Sequence, residues 1–349
     1  MSVVKSSRYL LTVMAALGAV ATLFAFDHPT PGTGPGVNGA RYATDAYPGF
    51  DSEDDMIKPE RKEPRWFQFI TGPDCDNAKD QLAHCVTLIR DEDYSKARKQ
   101  LDALVRNWPT SPEAPKAQQA LADLCFERLQ DYEDAFDEYR YLLDFYSLQC
   151  DYEKISDRLY QVAGVLKIEG KEVMFVRFAN TVDVRRAYET CVLRAPGAKW
   201  VPEAMLIIAG LREDEGKNTE AIRVYENLRN LYADSEEARI AVAREAAVRM
   251  ALLREHAYNR ARCNDTIAFL ELALRKCREE DAETIKGFLA EAKAQVEDEA
   301  YLGAKFYDSP TRTKRSAIRA YERFLSDYPM SARADEVRAR IAELKGEEK

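Results

Sequence analysis

Ala97-Arg98-Lys99-Gln100-Leu101-Asp102-Ala103-Leu104-Val105-Arg106-Asn107-Trp108-Pro109-Thr110-Ser111-Pro112-Glu113-Ala114 decides the fold. Ala97, Leu101, Leu104 and Trp108 share one stripe of an α-helix, because residues three and four apart stack on the same face. Pro109 cannot continue a helix interior and marks its end. Ser111 then suits the start of a following helix, with Glu113 favourable near that helix's first turn. The same offsets return in Ala317, Tyr321, Phe324, Tyr328, Pro329, Ser331 and Ala334, and again in Ala221, Tyr225, Leu228, Tyr232, Ala233, Ser235 and Ala238, where only the proline is lost.

A recurring unit of this kind predicts helical hairpins stacked in series. Asp93-Tyr94 and Asp131-Tyr132 open two second helices, and Ala97 and Ala135 stand 38 residues apart. Val184, Tyr188, Cys191 and Pro196 mark a third unit, 37 residues before Ala221. A degenerate fifth unit centres on Ala268 and Leu272, and Glu169 to Asp183 reads as an apolar insertion carrying Phe175, Val176 and Phe178. The predicted class is all-α, a tetratricopeptide-like α-solenoid of about five or six hairpins over residues 77–345. The small alanine that opens each stripe lets two helices approach closely, and the large residues fill the space toward the next hairpin.

The N-terminal part reads differently. Lys5 and Arg8 precede an apolar run from Tyr9 to Phe26 with small residues at Ala19, Ala21 and Ala25. This is the pattern of a secretory signal peptide over residues 1–25, and its alternative is an N-terminal membrane anchor. No cysteine near the end of the run offers an acylation site. Residues 26–76 form a Pro/Gly-rich linker, with Trp66, Phe67 and Phe69 as an aromatic segment that docks on the first hairpin or on a partner.

Of the 349 residues, 46% are hydrophobic and 32% charged, ample for a buried core, and the formal charge is −9. Loss of residues 1–25 would remove Lys5 and Arg8 and make the remainder more acidic still. Such a balance argues against duplex nucleic acid, where affinity comes from neutralised phosphates. The seven cysteines, Cys75, Cys85, Cys125, Cys150, Cys191, Cys263 and Cys277, contain no CxxC pair, and His28, His84 and His256 are scattered. No metal site is expected, and no cofactor. Cys85, Cys125 and Cys191 fall on apolar helix faces, where cysteine acts as a small hydrophobe.

Acidic runs such as Glu213-Asp214-Glu215 and Glu297-Asp298-Glu299 read as solvated faces. A cell-wall hydrolase would need paired catalytic acids, and here no hydrolase or phosphate-binding motif accompanies them. No catalytic residue is assigned, and the chain is expected to bind proteins. The candidate contact residues are Trp66 and Phe67, then Tyr141 and Phe145 as an aromatic pair free to face solvent, and Arg312 and Arg315 in a basic stretch with Arg319 and Arg323.

The offsets resemble the tetratricopeptide repeat, whose second helix places Ala, a bulky aromatic, a small residue and Pro at these positions. The large residues at Leu104, Leu142, Leu228 and Phe324, and the ending Tyr328-Pro329-Met330-Ser331-Ala332-Arg333-Ala334, are similar to the BamD family of outer-membrane β-barrel assembly components. So is the insertion running into Asp183-Val184-Arg185-Arg186-Ala187-Tyr188. The resemblance implies a scaffold in the periplasm of a Gram-negative-type bacterium. Its N-terminal repeats would meet extended polypeptide segments and its C-terminal repeats a barrel-forming partner. The lipid-bearing cysteine of that family is missing. Membrane association would then run through partners, or through an uncleaved N-terminal segment that anchors the chain at the inner membrane. The other function classes are an envelope adaptor for cell-wall synthesis or division, and the hydrolase.

Overall fold

The aromatic eleven residues after each stripe's first position ends the helix instead of continuing it. Trp108, Tyr146, Tyr232 and Tyr328 are all C-cap residues with φ between −131° and −126°. Each donates its amide to the carbonyl four residues back, on Leu104, Leu142, Leu228 and Phe324. The computed structural model describes residues 47–51, 60–63, 72–172, 181–255, 260–309 and 313–346. The segments 1–25, Trp66 and Phe67, Phe175 to Phe178, and Arg312 lie outside the described residues.

Among the described residues there are thirteen α-helices and no strand. In chain order they are α1 (Ala78–Arg90), α2 (Tyr94–Asn107), α3 (Ala114–Leu124), α4 (Tyr132–Phe145), α5 (Tyr152–Glu172), α6 (Thr181–Arg194) and α7 (Val201–Asp214). Then follow α8 (Asn218–Leu231), α9 (Glu236–Glu255), α10 (Arg260–Ala273), α11 (Ala282–Tyr307), α12 (Lys314–Asp327) and α13 (Ala334–Gly346). A π turn, Cys125–Leu129, extends α3. The chain divides into two units, residues 1–215 and 216–349. In the first, α1 to α7 pack each on the next; in the second, α8 to α13 do the same, with α9 also touching α11. No helix among the described residues is long and apolar enough to cross a membrane.

Local chemistry starts the helices. Asn77, Asp93 and Asp131 each accept the amide three residues on, from Asp80, Lys96 and Asp134, and so satisfy a donor that the helix leaves unpaired. Ser111 acts three residues ahead of α3, whereas Ser235 directly precedes α9. Their hydroxyls accept from the amides of Ala114 at 3.2 Å and Ala238 at 3.0 Å, closing the short turn after the C-cap.

The predicted stripe is the core. Ala97, Leu101 and Leu104 are fully buried, as are Ala135, Tyr139 and Leu142, and Ala221, Tyr225 and Leu228. Val184, Tyr188 and Cys191, and Ala317, Tyr321 and Phe324, are almost as buried. The fifth unit needs correction. Ala268 and Leu272 are exposed, and Thr266, Leu270 and Ala273 are buried in their place. Cys277 donates its amide to Ala273 at 2.8 Å, as the aromatic C-caps do elsewhere. The register is thus shifted by two residues, because threonine holds the alanine position and cysteine the aromatic one.

The residue two before the second helix, just ahead of its N-cap, sits in the left-handed region in three turns: Glu92 at φ 61°, Gln130 at φ 55° and Gly216 at φ 73°. Only glycine adopts this conformation without a Cβ penalty. Gln130→Gly is therefore expected to gain about 0.5–1 kcal/mol, and Gly216→Ala to lose about 1–2 kcal/mol. A Cβ at Gly216 would meet no neighbour within 4 Å, so that loss is purely backbone strain. Urea midpoints at unchanged m-value measure both.

All seven cysteines are free thiols. Cys85, Cys125, Cys191 and Cys263 are buried, whereas Cys75, Cys150 and Cys277 are half-buried. Burial pushes the Cys85 thiol up to about 12 and that of Cys125 up to about 11. Since the thiolate is the nucleophile, iodoacetamide at mildly alkaline pH should label Cys75 and Cys277 first and the buried four only in denaturant. Peptide mapping by mass spectrometry reads the order. Labelling of Cys85 at the rate of Cys75 in the native protein would contradict the packing.

Candidate functional site

Within the first unit, the second helices α2, α4 and α6, with α7, carry charged side chains at buried or half-buried positions. They meet two described pieces of the N-terminal segment, residues 47–51 and 60–63. Sequence reading alone treats this stretch as a free linker; where it is described it is docked.

The first attachment is an arginine socket. Arg185 and Glu189 lie one turn apart on α6, and Arg212 lies on α7. The Arg185, Glu189 and Arg212 side chains are 1%, 0% and 3% exposed. Arg185 Nη1 donates to Glu189 Oε1 at 2.7 Å, Arg185 Nε donates to Glu215 Oε1 at 2.7 Å, and Arg212 Nη2 donates to Glu189 Oε1 at 3.2 Å. Two cations and two anions thus neutralise each other inside the fold. Donors of three arginines also converge on Asp51. Its Oδ2 accepts from Arg186 Nε at 2.9 Å and Arg185 Nη2 at 3.2 Å, and its Oδ1 from Arg212 Nη2 at 2.9 Å. The Asp51 amide donates to Glu189 Oε2 at 3.3 Å. Beside it, Tyr47 is buried and stacks on Phe50, with ring centroids 5.1 Å apart.

Burial alone would raise the Asp51 carboxyl. The hydrogen bonds from Arg186, Arg185 and Arg212 outweigh it and hold the group well below the usual carboxylate range. The sign follows. This attachment contributes fully above the pKa of a free aspartate and weakens only as pH falls toward the depressed value.

The second attachment has the opposite charge. Lys62 Nζ donates to Asp102 Oδ1 on α2 at 3.1 Å and to Glu138 Oε2 on α4 at 2.5 Å. Glu138 also accepts from Gln118 Nε2 of α3 at 2.6 Å. The Lys62 amide donates to Tyr141 Oη at 3.2 Å, and Arg106 Nη1 donates to the Glu63 carbonyl at 3.1 Å. The Lys62 ammonium lies 5.3 Å from the Tyr141 ring centroid, and the Arg61 guanidinium 5.1 Å from that of Phe145, both within cation–π range. Further along, the Asp74 amide donates to Gln100 Oε1 of α2 at 3.0 Å, and Gln81 Nε2 of α1 donates to the same oxygen at 2.6 Å.

The candidate residues distribute as follows. Tyr141 is buried and Phe145 half-buried, so the aromatic pair does not stand free in solvent: Arg61 and Lys62 cover it. The two rings do touch each other, at 4.5 Å between centroids. Trp66, Phe67 and Arg312 lie outside the described residues, and Arg315 is exposed on α12 in the second unit. Asp51, Lys62, Arg185, Arg186, Glu189 and Arg212 escape sequence reasoning. The one signal for them is charge beside the apolar stripe: Arg185 and Glu189 each follow directly on buried Val184 and Tyr188. Among the described residues no three metal-ligating side chains cluster. What the arrangement can do chemically is hold a non-helical chain by one carboxylate and one amine.

Models of the tetratricopeptide repeat match residues 85–148 and 203–235. The first match runs from within α1 to just past α4, across both hairpins that hold Lys62. A solved tetratricopeptide repeat protein from Parabacteroides merdae is similar at 13% identity, over 77% of this chain and 98% of its own, with a TM-score of 0.28. No curated protein matches the chain significantly. The chain thus carries tetratricopeptide repeats over residues 85–148 and 203–235.

Proposed function

We propose that this chain is a non-catalytic protein-binding scaffold of the bacterial cell envelope that holds extended polypeptide, with outer-membrane protein assembly as its role. One observation carries the binding reading. Two described stretches of polypeptide with no helix of their own, 47–51 and 60–63, lie against α2, α4, α6 and α7 and are held by side chains of those helices. Repeat units build such surfaces by stacking, and the tetratricopeptide matches support protein partners. The compartment rests on the basic and apolar residues of 1–26, read as an export signal, and the assembly role on the ending Tyr328-Pro329-Met330-Ser331.

A photo-crosslinking residue placed at Arg186 or Phe145 of the full chain, in cells, tests it. Recovery of the barrel-forming assembly protein or its unfolded substrates supports the assembly role. Recovery of peptidoglycan synthases would move the scaffold to cell-wall synthesis, and recovery of cytoplasmic proteins alone would overturn the envelope reading. Mass analysis of the mature N-terminus separates cleavage from anchoring.

A further inference from the structure

We propose that residues 47–51 and 60–63 are resident, exchangeable occupants of the α2–α4–α6–α7 face, and that the partner which replaces them is a non-helical polypeptide carrying a carboxylate and, eleven residues later, an amine. This deepens the scaffold reading and rests on it.

Three observations support exchange over permanent attachment. The buried part of the arginine socket is neutral without its occupant, because Arg185 and Arg212 already face Glu189 and Glu215, and partly exposed Arg186 supplies the positive charge that a carboxylate answers. Asp51 balances Arg186, whose side chain is 41% exposed. At this socket, undocking therefore strands no buried unpaired charge, the costliest consequence of removing a partner. Next, the acidic socket is partly preassembled in the same way: Asp102 accepts from Arg106 at 2.7 Å and Glu138 from Gln118 at 2.6 Å with or without Lys62. Finally, the two sockets are of opposite sign, so they fix the direction of the bound chain as well as its charge. A carboxylate belongs at α6–α7 and an amine at α2–α4, and the reversed order places like charges together.

An occupant in cis lowers the apparent affinity for any competitor by the fraction of time the face is free. The test uses a fluorescent peptide of residues 47–63 added to the full chain and followed by anisotropy. Asp51→Ala/Lys62→Ala in the full chain should bind the peptide about tenfold or more tighter than the unaltered chain does. A peptide with lysine at position 51 and glutamate at 62 should not bind the variant. Equal affinity of variant and unaltered chain, or equal binding of the charge-swapped peptide, would overturn the proposal.

A second measurement needs no variant. In the unaltered full chain, saturating peptide should speed hydrogen exchange of the Lys62 amide, which the docked state protects by donation to Tyr141. Exchange that stays constant at every peptide concentration would show a permanently built-in segment. The two readings fail separately. Envelope partners captured in cells with no peptide exchange would leave the scaffold standing and remove the strap. Exchange without envelope partners would do the reverse.

Discussion

Glu189→Ala should lower the unfolding free energy by about 3–5 kcal/mol, because it breaks a buried ion cluster from one side only. The carboxylate is fully buried and accepts from two guanidiniums that are themselves buried, Arg185 at 2.7 Å and Arg212 at 3.2 Å. Alanine leaves three arginines, counting Arg186, around the two remaining anions, Glu215 and Asp51. Arg185 and Arg212, both almost fully buried, then share Glu215 and an Asp51 that Arg186 also claims, so the buried pair is short of negative charge. The Asp51 amide loses its acceptor as well. Neutral Glu189→Gln keeps the volume and one acceptor oxygen, so its loss should be smaller, about 1–3 kcal/mol.

The decisive comparison is the fourfold change Arg185→Met, Arg212→Met, Glu189→Leu, Glu215→Leu, which removes both buried cations and both buried anions. Apolar replacement of a whole buried ion group is often neutral. It should therefore recover most of what Glu189→Ala loses, while abolishing attachment of Asp51. Urea unfolding followed by circular dichroism gives the three values. A Glu189→Ala loss under about 1 kcal/mol would mean that water reaches the cluster, as at an exposed pair.

The contrast between stripe and sockets shows what a linear sequence carries. Ala97, Leu101 and Leu104 are legible because their spacing repeats and their partners lie on neighbouring helices. Their burial follows from period and size alone. The fifth unit was misread for a related reason: Thr266 and Cys277 do the steric work of alanine and an aromatic without looking like them, whereas apolar Ala268 and Leu272 imitate the pattern on the wrong face. Asp51 was beyond reach. It bonds to Arg185, 134 positions on, and to Arg212, 161 positions on, and nothing within its own acidic stretch singles it out. The expectation of a flexible linker does not hold at residues 47–51 and 60–63, on the same ground. Pro and Gly composition describes a segment's own preferences and is silent about docking that distant charges impose. Tyr141 illustrates this directly: its position on α4 outside the stripe suggested exposure, and the cover comes from Lys62 instead.

In the second unit, Glu245→Ala should cost about 3 kcal/mol or more, by the same one-sided loss of a buried partner. Glu245 on α9 is fully buried; its Oε1 accepts from Arg249 Nε at 2.7 Å and its Oε2 from Arg229 Nε at 2.8 Å. Both guanidiniums also lie over one ring, that of Phe269 on α10, at 4.6 Å for Arg249 and 5.2 Å for Arg229. The carboxylate lets two like charges share that ring. Without it, Arg249 keeps Glu226 at 2.5 Å, and the two cations repel across the ring face. Phe269→Leu removes the ring but keeps the carboxylate, so it forfeits packing and about 1–2 kcal/mol of cation–π attraction. Because each change disturbs the same two arginines, the double variant should lose less than the sum of the single losses, by about 0.5 kcal/mol or more. Arg229→Met/Glu245→Leu should be milder than Glu245→Ala alone, since it leaves Arg249 with Glu226 and buries no unpaired charge. Hydrogen exchange across α8, α9 and α10 locates the damage. Strict additivity between Glu245 and Phe269 would mean that the ring and the carboxylate act on the arginines independently, and the shared clamp would have to be abandoned.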